Sequence, residues 1–165
     1  MTTPHTATDQ PVALLRKKLA SNDVLDLTVQ DLGSQKFRAV VNRVLSNRIC
    51  GFPAGLATIL FVGSPGHMGD VTLTDGQRAL VFIRKIGDRY YEDPWHGHLT
   101  LEPFEDRLVA VAAWHLDESG LAFGPEYLRK SAFTPDKSRP WRTAFPLELI
   151  ERHLSEELGI LHADR

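Results

Sequence analysis

The chain has one cysteine, Cys50, in 165 residues. A lone thiol closes no internal disulfide, which excludes a disulfide-stapled scaffold and fits a reducing compartment. Charge of one sign is missing too: 19 Lys and Arg stand against 21 Asp and Glu, a net charge of −2. A general nucleic-acid binder carries a basic excess, so no nucleic-acid partner is expected. Long apolar runs are also lacking. The longest nearly uncharged stretch, residues 49–68, is interrupted by Pro53, Pro65 and several glycines. A membrane helix needs ~20 mostly apolar residues, so no membrane span is expected. Residues 1–9 have neither the basic nor the apolar region of a secretory signal. The expectation is a cytoplasmic protein.

Catalytic signatures are scarce. GxSxG and HExxH are absent, and the Gly-rich stretch at residues 63–70 lacks the Gly-Lys-Ser/Thr ending of a phosphate loop. Asp88, Glu92 and Asp93 fall near a hairpin without an evident acid–base pairing. Arg48, two residues before Cys50, would lower the thiol pKa if the side chains met. A lone cysteine reads first as a small buried hydrophobe. No cofactor is expected.

Hydrophobic residues make up 42% and charged residues 24%, near the roughly 45–50% and about 25% of globular domains. Residues 1–9 read as a flexible Thr-rich tail and residues 10–165 as one globular domain. Within it lie a β core over about 24–116 and an irregular segment plus helix over 117–165. Pro11, Val12, Leu15 and Leu19 suit a short amphipathic helix over about 10–20, with Arg16, Lys17 and Lys18 on a solvated face. Ser21-Asn22-Asp23 breaks it. Leu25, Leu27 and Val29 then alternate as in a strand. Further strands are expected at residues 37–45, 56–62, 71–73, 79–83, 89–92, 99–101 and 108–114. For the last, the alanines leave helix as an alternative. Residues 56–62 and 79–83 are continuous apolar runs, as in strands buried on both faces. Gly87-Asp88 forms a hairpin turn. Residues 120–143 are irregular, with one helical turn near Glu126. From Pro146, the stripe Leu147, Ile150, Leu154, Leu158 and Leu161 predicts an amphipathic helix ending near Gly159, with Glu148, Glu151, Arg152, Glu156 and Glu157 on its polar face. The fold class is therefore mainly β with flanking α. It is an antiparallel β-barrel, OB-like, or a sandwich, with a short N-terminal helix and a C-terminal amphipathic helix.

Val40-Val41-Asn42-Arg43-Val44-Leu45, the run into Val62-Gly63, and the segment from Leu73-Thr74-Asp75-Gly76 to Leu80-Val81-Phe82-Ile83 are followed by Gly87-Asp88-Arg89-Tyr90-Tyr91. Over about residues 35–115 this resembles the OB-type barrel of the netrin and tissue-metalloproteinase-inhibitor families. The resemblance implies a barrel. It does not bring metalloprotease inhibition with it, because those inhibitors rely on an N-terminal cysteine and several disulfides.

The segment Tyr90-Tyr91-Glu92-Asp93-Pro94-Trp95-His96-Gly97-His98 sets three aromatic rings around a proline. Tyr and Trp are enriched in binding hot spots, and they equally suit rings folded back over a barrel mouth. The binding candidates are Tyr90, Tyr91, Trp95 and His96, and the expected function is non-catalytic recognition of a protein partner, immunity- or antitoxin-like in one form. The alternative is a metal-binding protein or metal-dependent enzyme using His67, His96 and His98. In an extended segment, His96 and His98 would point the same way.

Overall fold

The computed structural model describes residues 18–64, 72–94, 96–112 and 125–163. The tail at residues 1–9, most of the N-terminal helix, His67, Trp95 and Trp114 lie outside these. Among the described residues, eight strands form one sheet: β1 (Asp23–Gly33), β2 (Lys36–Val44), β3 (Thr58–Val62), β4 (Arg78–Ile86), β5 (Arg89–Glu92), β6 (His98–Phe104), β7 (Arg107–Ala112) and β8 (Thr143–Pro146). Among the same described residues, two helices follow the strands in part, α1 (Glu126–Ser131) and α2 (Leu147–Ala163). Residues 18–21 are helical and end at Asn22.

β1 has a register shift between Asp26 and Leu27. Such an irregularity bends a strand and increases its twist. β1 pairs antiparallel with β2 along one edge and with β4 along the other. β2 continues to β3, and β3 meets β5 in parallel at Val62 and Tyr91. β5 returns to β4 through the hairpin at Gly87-Asp88, where Gly87 takes φ 65°. A glycine adopts that left-handed conformation without a Cβ clash. The order β1-β2-β3-β5-β4 thus closes on β1 as a five-stranded barrel, and β6, β7 and β8 extend the sheet beyond β4.

Alternation divides the apolar residues between two cores. Ala79, Val81 and Ile83 of β4 face the barrel interior with Leu25, Leu27, Val29, Phe37, Ala39, Ile59 and Phe61. Leu80 and Phe82 face the opposite way, against Leu99, Leu101, Ala110, Leu128, Phe145, Ile150 and Leu154. β4 therefore has both faces buried, as its unbroken apolar run requires.

The expected mainly β barrel with flanking helices is the observed class, and residues 108–112 are strand. Several details differ. β3 is not buried on both faces: Ile59 and Phe61 point inward while Thr58 and Leu60 are exposed, because β3 lies on the barrel wall away from the helical layer. Residues 72–74 are outside any strand, and Leu73 instead buries its side chain in the barrel core. β8 was not expected, since its four residues sit among turns and prolines. Its Phe145 is fully buried. α2 runs past Gly159 to Ala163, held by Leu158 and Leu161 against the core. Glu157 is buried rather than on the polar face. Ile150, Leu154, Glu157 and Leu161 are spaced four, three and four apart, which puts the carboxylate in the apolar stripe. Lys18 is likewise buried, not solvated, for a reason found at Asp93 below.

Candidate functional site

Among the described residues, Val62 and Tyr91 form the one bridge between β3 and β5. Away from that bridge the two strands part, and a cleft of about 650 Å³ opens between them. One wall is Thr58, Ile59, Leu60, Phe61 and Val62 of β3; the other is Asp88, Arg89 and Tyr90 of the β4–β5 hairpin. Gly51, Phe52, Pro53 and Leu56 close one end, and Leu32 and Lys36, flanking the β1–β2 turn, lie at the rim. The size falls within the roughly 300–1,000 Å³ of ligand sites.

The floor and the rim differ in character. Phe37, Phe52 and Phe61 are buried, and the Phe52 ring packs at 5.1 Å from Tyr90. Leu32 is 45% exposed and Leu60 is 59% exposed. Lys36, Arg38 and Arg89 are exposed around them, and Arg38 lies directly across from Leu60 in the β2–β3 ladder. Lys85 Nζ sits 5.7 Å from the Tyr90 ring centroid, a favourable cation–π position.

Of the four expected binding residues, Tyr90 lines this cleft. Tyr91 is half-buried and, as its neighbour in the strand, points to the other face. His96 is half-buried in a bend with φ 49°, and Trp95 is not among the described residues. Because of that left-handed bend, His96 and His98 do not share one extended segment. His98 is the first residue of β6 and is buried. Among the described residues, no group of three His, Cys, Asp or Glu is placed to hold a metal ion; His67 lies outside them.

His98 belongs to a second cluster. Its Nδ1 lies 2.6 Å from Glu92 Oε2, and Glu92 Oε1 accepts the Ser64 N–H at 2.9 Å. Next along the chain, Asp93 takes Lys18 Nζ and Arg84 Nη2, each at 3.2 Å, and accepts from Asn22 Nδ2 at 2.8 Å. Burial lowers the Lys18 pKa, against the pull of Asp93. Gly97 permits this packing: a Cβ there would run into the Asp93 carbonyl and the Glu92 side chain. The cluster ties the end of the N-terminal helix to β4, β5 and β6.

Cys50 is not an activated thiol. Burial first, then the neighbouring Asp23 carboxylate, pushes its pKa up to about 12. The Arg48 guanidinium instead reaches toward the Leu19 carbonyl, at 3.5 Å.

Sequence reasoning missed the cleft residues Leu60, Leu32, Lys36 and Arg89. Read as strict alternation, residues 58–62 would have flagged Leu60 as an outward-facing apolar side chain. Comparison of the chain with protein families, characterised proteins and solved structures returns no match.

Proposed function

We propose that this chain is a small non-catalytic binding protein, built on an OB-type barrel, that recognises a protein partner at the cleft between β3 and the β4–β5 hairpin. The observation that carries the reading is the cleft itself: an open apolar recess of about 650 Å³ with Tyr90 in its wall and Leu60 exposed at its lip. The OB-type assignment is supported by the strand order β1-β2-β3-β5-β4 closing on β1. OB folds bind ligands on the face of strands 2 and 3 and on the 1–2 and 4–5 loops. Here the cleft is bounded by β3, the β1–β2 turn and the β4–β5 turn. Fold alone does not give function; the apolar lining and its exposure support this reading. Tyr90 is the first anchor. Tyr91, Trp95 and His96 follow it in the sequence as the further candidates. The single thiol fits a cytoplasmic location.

The test is a native pull-down with the wild-type chain and with Leu60→Asp. Leu60 is exposed, so the variant keeps its melting temperature. A partner captured by the wild type and lost from Leu60→Asp supports the reading. Identical capture by the two chains contradicts it.

A further inference from the structure

We infer that the cleft takes an extended, acidic segment of the partner, added as a strand to the free edge of β3. The inference rests on the cleft being the partner site and specifies what enters it.

The first support is the hydrogen-bond register of β3. The Gly63 N–H donates to the Gln35 carbonyl, and the Val41 N–H donates to the Ala57 carbonyl. In this antiparallel pair the odd-numbered residues are therefore the bonded ones, so Ile59 and Phe61 direct their backbone groups to β2. Thr58 and Leu60 direct theirs the opposite way, into the cleft. On that side β5 reaches β3 only at Val62 among the described residues. An unpaired edge beside an apolar recess suits strand addition, in which main-chain bonds give affinity and alternate side chains give specificity.

The second support is charge. Lys36 and Arg89 line the cleft, with Asp88 as the carboxylate beside them, and Arg38 lies across the ladder from Leu60, on a chain whose net charge is −2. Among the described residues, none of the three cations makes an ion pair. A strand laid beside β3 would put every second side chain into the recess, level with Ile59 and Phe61. The others would lie level with Leu60, beside Arg38. The matching segment alternates apolar and acidic residues. A single-stranded nucleic acid would also seek cations, but it stacks its bases on accessible rings. Of the rings lining the cleft, Phe37, Phe52 and Phe61 are buried, and the half-buried Tyr90 ring already packs against Phe52 and Lys85.

The experiment selects a displayed library of random short peptides against the folded chain. Enriched peptides are synthesised and titrated against the wild type, Leu60→Asp and the double variant Lys36→Glu, Arg38→Glu. Enrichment of alternating acidic and apolar sequences is expected, with about tenfold or greater weakening by either variant. N-methylation of the peptide amides that face β3 should abolish binding, while methylation of the intervening amides should not. Absence of enrichment overturns the inference, as does binding indifferent to backbone methylation. In the second case, peptides that still lose affinity to Leu60→Asp would leave the cleft as the partner site and remove only strand addition. Oligothymidylate or oligouridylate that binds at physiological salt and displaces the peptides would also overturn it, assigning the cleft to nucleic acid. Unchanged melting temperatures, with Leu60→Ser as a milder control, show that the variants report on binding and not on folding.

Discussion

His98 Nδ1 and Glu92 Oε2 stand 2.6 Å apart, with the two side chains 6% and 2% exposed. Glu92 is the last residue of β5 and His98 the first of β6, so one contact fixes both ends of the intervening loop. The same carboxylate accepts the Ser64 amide just after β3, drawing a third strand end to the same point.

Glu92→Ala removes the partner of both groups and leaves His98 buried without it. Leaving a buried hydrogen-bonding group without its partner costs about 1–3 kcal/mol, and a loss of that order is expected in urea unfolding. Glu92→Gln keeps a hydrogen-bonding oxygen and should cost clearly less. Equal stability of Glu92→Ala and wild type would show that the contact does not hold the loop.

Gly97→Ala tests the same junction sterically. Its methyl group has no room beside Glu92 and the Asp93 carbonyl, and overpacking of this kind costs about 1–3 kcal/mol. Thermal unfolding of the variant should show a clear fall in Tm; no fall would mean that the junction relaxes freely.

Asp26 governs part of the acid stability. Burial works to raise its pKa, but hydrogen bonds from Arg78, Asn42 and Arg43 prevail and hold it below the ordinary carboxylate range. A depressed folded-state pKa stabilises fully above the unfolded value of about 3.9 and is lost as pH falls through the folded value. The wild type should therefore lose stability in that acid window, and Asp26→Asn should flatten this part of the profile. Urea midpoints measured from neutral pH downward decide it; parallel curves would remove Asp26 as a contributor.

Cys50, with its thiol pushed up to about 12, should alkylate slowly. The thiolate is the reactive form, so iodoacetamide near neutral pH should label the native chain far more slowly than the chain in denaturant. Mass spectrometry of the time course reads this directly, and equal rates would contradict the burial argument.

Leu154→Ala should open a cavity beneath α2. The residue is 4% exposed in the layer against β4, and such truncations cost about 2–5 kcal/mol. A loss below about 0.5 kcal/mol in urea unfolding would mean that α2 contributes little to the fold.

The barrel strands were legible where apolar periodicity was strong. Leu25, Leu27 and Val29 alternate cleanly, and the run at residues 79–83 announces a strand covered on both faces. The run at residues 56–62 carried the same composition with the opposite outcome, because an exposed leucine cannot be told from a buried one by type. β8 is too short for its period to register. In the candidate site, Tyr90 was legible as a large ring on a hairpin. The partners of His98 and Lys18 were not, since Glu92 reaches His98 around a left-handed bend at His96 and Asp93 meets Lys18 from far along the chain. The rim cations also gave no signal. Lys36 and Arg38 come from β2 and Arg89 from β5, so they converge only when β5 returns beside β3.

β4 is a party wall. Its Val81 side belongs to the barrel and its Leu80 side to the helical layer, so lifting α2 would strip one side of a strand whose other side completes the barrel. The C-terminal third is thus no detachable ornament. A chain cut before α1 would present Leu80, Phe82, Leu99 and Leu101 to water in a single greasy sheet, the sort of surface that sticks to its own copies. The cleft on the far side depends for its shape on a helix that never touches it.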